Sequence, residues 1–310
     1  MLPNVDTDDE LRAVISDEAV LRPAVEDLVA RLGLSGLSLR RFDDGSLPVY
    51  ALGGDLVLKL YPGFEVAEAV REARVLAHLW GRLPVPTPRV YAADEYVNGW
   101  RFVLMSRLSG LSLAEAWPRL TEAERDRIVT EAAEALAALH AMDHKQLADV
   151  VGPSDWDGFL RRQRAGVFER HQAAGLTEPW LSRIPEFLDS VTLPASIELA
   201  LLHTEFMREH LTVELGDGRR LTGLFDFEPA MIGDPAYDFV GVGLFVTRAD
   251  PRQFGRFYEA YGRAPHDPDQ LLAYTLLHVY SNLPWYLREL PAPAEPRLDA
   301  LAEMWFGTDG

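Results

Sequence analysis

Residues 202–211 read LHTEFMREHL, and residues 225–239 read FDFEPAMIGDPAYDF. The first stretch sets His203, Glu205 and His210 after an apolar strand. The second ends another strand with Asp226, followed by Glu228, Asp234 and Asp238. Between them ELGDGRRL reads as a tight hairpin turn. An acid just after one strand, a metal-ligand type five residues on and an aspartate ending the next strand form the order that phosphoryl transfer needs. One acid orients an acceptor hydroxyl while a divalent cation neutralises charge on the transferred group.

Outward from this pair, the strand DLVLKLYP carries Lys59, one of two lysines in the chain, on the strand face shared with Val57. A lysine is seldom buried without a partner. The following helix supplies one: Glu72 in VREARVL lies on the face bearing Val75 and Leu76, whereas Glu65 and Glu68 read as more exposed. Such a pair positions the α and β phosphates of ATP in one class of phosphotransferases. A purely structural ion pair fits the same two residues.

The periodicity of the rest gives the frame. DTDDELRAVISDEAVLRPAVEDLVARLGL has helical spacing, with Asp6 or Thr7 as cap. Alternating segments around DDGS and GGD, then a hairpin about Asn98 and Gly99, predict a small antiparallel sheet with one inserted helix. Beyond Gly110 the pattern is mainly helical, with strands only in SIELALLHTE, HLTVEL and LTGLFDFE. HVYSNLPWYLREL reads as helix. The expectation is an α+β, bilobed chain: a nucleotide-binding lobe over residues 1–108 and a helical lobe over 109–310, with a ligand cleft between them.

The bulk numbers agree. At 310 residues there is room for two cores, since single cores stop growing near roughly 250–300 residues. A hydrophobic fraction of 48% excludes a disordered chain. A net charge of −18 argues against nucleic-acid or anionic-membrane partners. Cysteine is absent, which removes thiolate chemistry and disulfides. No signal core or run of ~20 apolar residues occurs, so a cytoplasmic protein is expected.

On LVLKLYP, REARVL, PVPTPRV, RFVLMSRLSG, LAALH, the HTE loop and LTGLFDFEPAMIGDPAYDF, taken in that order, the chain resembles the aminoglycoside phosphotransferase family. That family has the protein-kinase-like fold, and the layout here is most similar to its hygromycin B phosphotransferases. The resemblance implies a monomeric kinase that uses ATP or GTP with Mg²⁺ or Mn²⁺ and phosphorylates a hydroxyl of an antibiotic or sugar-like acceptor. It implies that Lys59 contacts nucleotide phosphates with Glu72 holding it, that Ser46 belongs to the nucleotide site, and that backbone groups of Ser106 and Leu108 bind the base. Glu205 and Asp226 are the implied catalytic residues and Asp226 and His210 the metal ligands, with Glu209 or Glu228 as alternatives in the metal shell.

The family's loop is histidine, glycine, aspartate, then asparagine five residues on; here it is His203, Thr204, Glu205 and His210. Glutamate keeps the charge of the base, and histidine suits manganese better than magnesium. A pseudokinase of the same fold is therefore the alternative function. A zinc site of His203, Glu205 and His210 is the weaker one, because the spacing is not H-E-x-x-H. On the acceptor side, HVYSNLPWYLREL offers His278, Tyr280, Asn282, Trp285 and Tyr286 with Glu289 as its single acid. If these aromatics line the acceptor site rather than a core, the acceptor is less cationic than a typical aminoglycoside.

Overall fold

The computed structural model describes residues 2–43, 45–194, 197–216 and 219–309. The chain forms two compact units, residues 1–109 with 223–229, and residues 110–222 with 230–310. The segment 223–229, which follows the helical region in sequence, thus belongs to the first unit.

The first unit opens with α1 (Asp8–Ile15) and α2 (Glu18–Arg31). Thr7 caps α1 by accepting from the Glu10 amide, and Asp17 caps α2. The sheet has β1 (Leu39–Arg41), β2 (Val49–Leu52), β3 (Leu56–Tyr61), β4 (Val90–Glu95) and β5 (Arg101–Ser106), all antiparallel in the order β1-β2-β3-β5-β4. Between β3 and β4 runs α3 (Val66–Leu79), whose buried face is Ala69, Glu72, Val75, Leu76 and Leu79. The central strand is β3, and its Lys59 faces Val49 on one side and Val103 on the other. The turn before β5 has Asn98 and Gly99 at φ 52° and 78°, the pair of left-handed residues that a two-residue hairpin loop needs.

The second unit is mostly helical, as expected. Its elements before the catalytic-type loop are β6 (Leu111–Ser112), α4 (Leu113–Ala116), α5 (Glu122–His140), α6 (Trp156–Ala165), α7 (Val167–Ala173), α8 (Glu178–Leu181), α9 (Ile184–Ser190) and β7 (Ala200–Leu202). After it come β8 (Leu211–Val213), β9 (Leu221–Leu224), β10 (Met231–Gly233), α10 (Asp238–Gly241), α11 (Pro251–Tyr261), α12 (Pro268–Leu277), α13 (Leu283–Glu289) and α14 (Leu298–Phe306). A capping box of Thr121 and Glu124 starts α5. β7 pairs antiparallel with β10, and β6-β8-β9 form a small sheet. No helix is long and apolar enough to cross a membrane among the described residues.

Some expectations are corrected here. The helical pattern of HVYSNLPWYLREL is broken: α12 stops at Leu277, His278–Asn282 leave the helix, and α13 starts anew at Leu283. Asn282 accepts from the Trp285 amide and Pro284 occupies the first turn, both start signals that outweigh the periodicity. The strand in SIELALLHTE shrinks to Ala200–Leu202. The turns expected at DDGS and in ELGDGRRL include Asp44, Asp217 and Gly218, which lie outside the described residues.

Gly110 enters the second unit at φ 98°, and a Cβ there would sit 2.4 Å from the Val213 carbonyl oxygen. Gly110→Ala combines left-handed strain with that clash, so it should lower unfolding stability by about 2 kcal/mol or more. Urea denaturation of the variant would measure this.

Candidate active site

In the first unit, alternation along β3 brings Lys59 inward, and the helical period of α3 brings Glu72 to meet it. The ammonium nitrogen lies 3.5 Å from Glu72 Oε2, 2.5 Å from Asp226 Oδ1 and 2.7 Å from Glu228 Oε2. Lys59 and Glu72 are buried. Burial by itself would lower the lysine pKa, but Asp226 and then Glu72 outweigh it and hold the ammonium well above its usual value. Burial pushes the Glu72 carboxyl up, while Lys59 pulls it back. Tyr61, two residues along β3, donates its hydroxyl to Glu72 Oε2. Arg71 donates to the Glu228 carbonyl at 2.7 Å and so ties α3 to the segment after Asp226.

The structure therefore brings together three expected residues, Lys59, Glu72 and Asp226. It adds Glu228, considered from sequence only as a spare metal ligand, and Tyr61 and Arg71, which sequence reasoning missed. A signal for Tyr61 was present: it shares the strand face of Lys59. Arg71 had none, because its target is a backbone carbonyl. The excess of carboxylates over the single ammonium gives oxygen donors and negative charge that suit a divalent cation. Ser46 is exposed between β1 and β2. The Ser106 amide already donates to the Arg89 carbonyl at 2.8 Å. Its hydroxyl accepts from the Arg89 amide.

In the second unit the loop after β7 is fixed from below by Asp238. This fully buried carboxylate accepts from the His203 amide at 2.8 Å and the Thr204 amide at 2.7 Å, and it meets His140 Nε2 at 2.9 Å. His140 Nδ1 in turn lies 2.7 Å from the Tyr261 hydroxyl. Asp234 caps the short turn before α10 and accepts from the Tyr274 hydroxyl at 2.5 Å. Gly241 lets the loop lie flush on α10, since a Cβ there would come 2.7 Å from the Phe206 carbonyl oxygen.

Above this base, Glu205 is half-buried. His210 Nδ1 sits 2.9 Å from the Glu205 carbonyl oxygen. A carbonyl only accepts, so Nδ1 carries a proton toward it. His278 Nε2 donates to the Thr204 carbonyl at 3.1 Å, its Nδ1 accepts from the Tyr280 amide at 3.2 Å, and its ring stacks on Tyr237 with centroids 4.4 Å apart. Burial lowers the His278 pKa to about 4. Two residues of the candidate site have left-handed backbones without being glycine: Thr204 at φ 73° and Asp226 at φ 70°. Such strain concentrates at functional sites.

Residues 38–274 match the phosphotransferase enzyme family. The chain belongs to that family. Other phosphotransferases share its fold: the GDP complex of wild-type aminoglycoside 2'-phosphotransferase-IIIa superposes with a TM-score of 0.68 at 19% identity, covering 83% of this chain and 87% of that one. A thermostable mutant of aminoglycoside phosphotransferase APH(4)-Ia, in ternary complex with AMP-PNP and hygromycin B, gives 0.64 at 19% identity over 92% of this chain and 99% of that one. The α+β, protein-kinase-like architecture is thereby shown. Among curated proteins, acyl-CoA dehydrogenase family member 11 of Gallus gallus is 30% identical over 213 residues, 65% of this chain and 27% of that protein. Its Homo sapiens counterpart is 28% identical over 164 residues, 52% of this chain and 21% of that protein. The chain thus spans about a quarter of the length of these relatives.

Two expectations concern the loop itself. A left-handed threonine costs roughly 1–2 kcal/mol. Glycine gives back roughly 0.5–1 through unfolded-state entropy. Thr204→Gly should therefore be neutral or stabilising by up to about 1.5 kcal/mol in urea denaturation. For His278 the unfolded chain binds a proton near pH 6.5 and the folded one only near 4, so its contribution to stability is complete above pH 6.5 and is lost as pH falls toward 4. The urea midpoint should fall between pH 7 and pH 5 more steeply in the wild type than in His278→Gln.

Proposed function

We propose that the protein is a small-molecule kinase that transfers the γ-phosphoryl group of a nucleoside triphosphate to an acceptor hydroxyl. The observation that carries this reading is the buried Lys59 held by Glu72 and Asp226. Family membership and the nucleotide-bound phosphotransferases of like fold support it. ATP with Mg²⁺ is the favoured cofactor pair, with GTP or Mn²⁺ as variants.

In this reading Lys59 binds the nucleotide phosphates and Glu72 keeps its ammonium in place. Asp226 and Glu228 offer oxygens, and His210 its Nε2, to the divalent cation. That cation, when bound, supplies positive charge to the phosphates. Ser46 and the backbone at Ser106 and Leu108 face the nucleotide, and Glu205 accepts the proton of the acceptor hydroxyl. Aminoglycosides are the acceptor class suggested by the structural relatives. A second reading, a nucleotide-binding pseudokinase, is favoured by one observation: Glu205 and His210 replace the family's aspartate and asparagine.

Millimolar ATP with Mg²⁺ or Mn²⁺ should raise the melting temperature, and Lys59→Ala should blunt that rise. Absence of any shift with either nucleotide and either metal would remove both readings. Glu205→Gln should lower kcat by roughly 10²-fold with little change in nucleotide KM, as expected for loss of a general base. Asp226→Asn should abolish transfer in a folded protein, and His210→Asn should preserve or improve activity in Mg²⁺ by restoring an oxygen ligand. Circular dichroism would confirm that each variant folds. An inert wild type that gains transfer through Glu205→Asp with His210→Asn would establish the pseudokinase.

A further inference from the structure

The second unit has a half-open cavity of about 190 Å³ beside Glu205, between the loop after β7, the end of α10 and the run from His278 to α13. Its walls are largely ring surface and thioether: Met207, Phe245, Tyr280, Trp285 and Tyr286. Phe245 stacks on Trp285 with centroids 6.0 Å apart and meets Tyr286 edge-on at 5.8 Å. Burial, with the Glu205 charge adding to it, pushes the Tyr286 hydroxyl up to about 12.

Two features at its base point to a ligand. Glu205 is the single carboxylate among the lining residues, and His278 beside it is a neutral ring with both nitrogens engaged. Thr204 also lines the cavity, and its hydroxyl is buried with no hydrogen-bond partner among the described residues. A buried hydroxyl without a partner is costly, and threonine stands here in a left-handed backbone that glycine would adopt without strain.

We propose that this cavity receives the body of the acceptor, and that the acceptor is an uncharged alcohol built on one apolar or aromatic ring rather than a polycationic aminoglycoside. The proposal rests on the phosphotransferase reading above. Each ammonium entering such a wall loses hydration, and cation–π contact with the rings recovers less than that loss. The one carboxylate is required by the reacting hydroxyl. An apolar ring, by contrast, gains from burial against these walls. The volume equals roughly six waters at about 30 Å³ each, enough for a single ring and a short chain. In transfer, the alcohol oxygen forms the new bond to the γ-phosphorus as the bond to the departing nucleoside diphosphate breaks. The hydroxyl proton passes to Glu205, and Thr204 Oγ1 hydrogen-bonds the acceptor oxygen.

The test uses the full chain labelled with 5-fluorotryptophan, the Trp285 fluorine signal being assigned by its loss in Trp285→Phe. The probes are 2-phenylethanol and 4-phenylbutan-1-ol against kanamycin and hygromycin B, with ATP and Mg²⁺ or Mn²⁺ present. The alcohols should move the Trp285 signal and be phosphorylated with kcat/KM at least tenfold above either antibiotic. Thr204→Gly, which relaxes the backbone, should raise the alcohol KM threefold or more even as it leaves or improves stability, and Thr204→Ser should restore it. Met207→Glu should cut alcohol kcat/KM at least tenfold by placing a second carboxylate in the wall. Antibiotics that are phosphorylated faster, or that move the Trp285 signal when the alcohols do not, would overturn the proposal. So would alcohols that bind to the nucleotide-loaded protein without being phosphorylated while an antibiotic is. Failure of nucleotide to raise the melting temperature sinks the phosphotransferase reading instead, and the fluorine signal still reports what the cavity prefers.

Discussion

The first unit depends on one buried ammonium. Lys59 leaves water in the middle strand of the sheet, and that cost is met only because three carboxylates from two separate stretches of chain converge on it. Glu72 comes from α3, and Asp226 and Glu228 from a segment that follows more than a hundred residues later. The lysine is thus a fastener as well as a candidate phosphate ligand. The two roles are compatible, because a nucleotide phosphate brings new negative charge to an ammonium that Glu72 and Tyr61 keep in place.

The second unit solves a related problem with the opposite sign. Asp238, wholly buried, collects two backbone amides and an imidazole, so that the loop carrying Glu205 is held by hydrogen bonds rather than by its own propensity. His278 adds a bond from the other side to the Thr204 carbonyl. Between them, these contacts keep a threonine in a conformation it would not choose, and the loop's geometry is set before any ligand arrives.

Much of this was legible in the residues. The alternation of DLVLKLYP and the helical face of VREARVL were enough to pair Lys59 with Glu72, because strand and helix periods dictate which side chains turn inward. The Asn98–Gly99 turn was equally plain, since its chemistry is local. What sequence did not reveal was long-range or backbone-mediated. Nothing local marks Arg71 as the partner of a carbonyl at residue 228, nor His140 as the support of Asp238. The break at His278–Asn282 was hidden because aromatic spacing imitates a helix across it, while the deciding cap is one asparagine side chain. That break frees His278 and Tyr280 to line the cavity beside Glu205.

The division of the chain has a consequence for its synthesis. The first unit is not contiguous: residues 223–229 complete it, and Lys59 and Asp226 are separated by 167 positions. As the chain emerges from a ribosome, the sheet and α3 can assemble early, but the central ammonium then has only Glu72 for company. Its full set of partners arrives after most of the helical region has been made. Closing so long a loop is slow, as it is for any contact of high sequence separation. A fragment cut at residue 109 would carry this deficit permanently, with a charged strand centre and two of its three carboxylates missing. An excised version of this unit would need residues 223–229 joined back to it through a new linker.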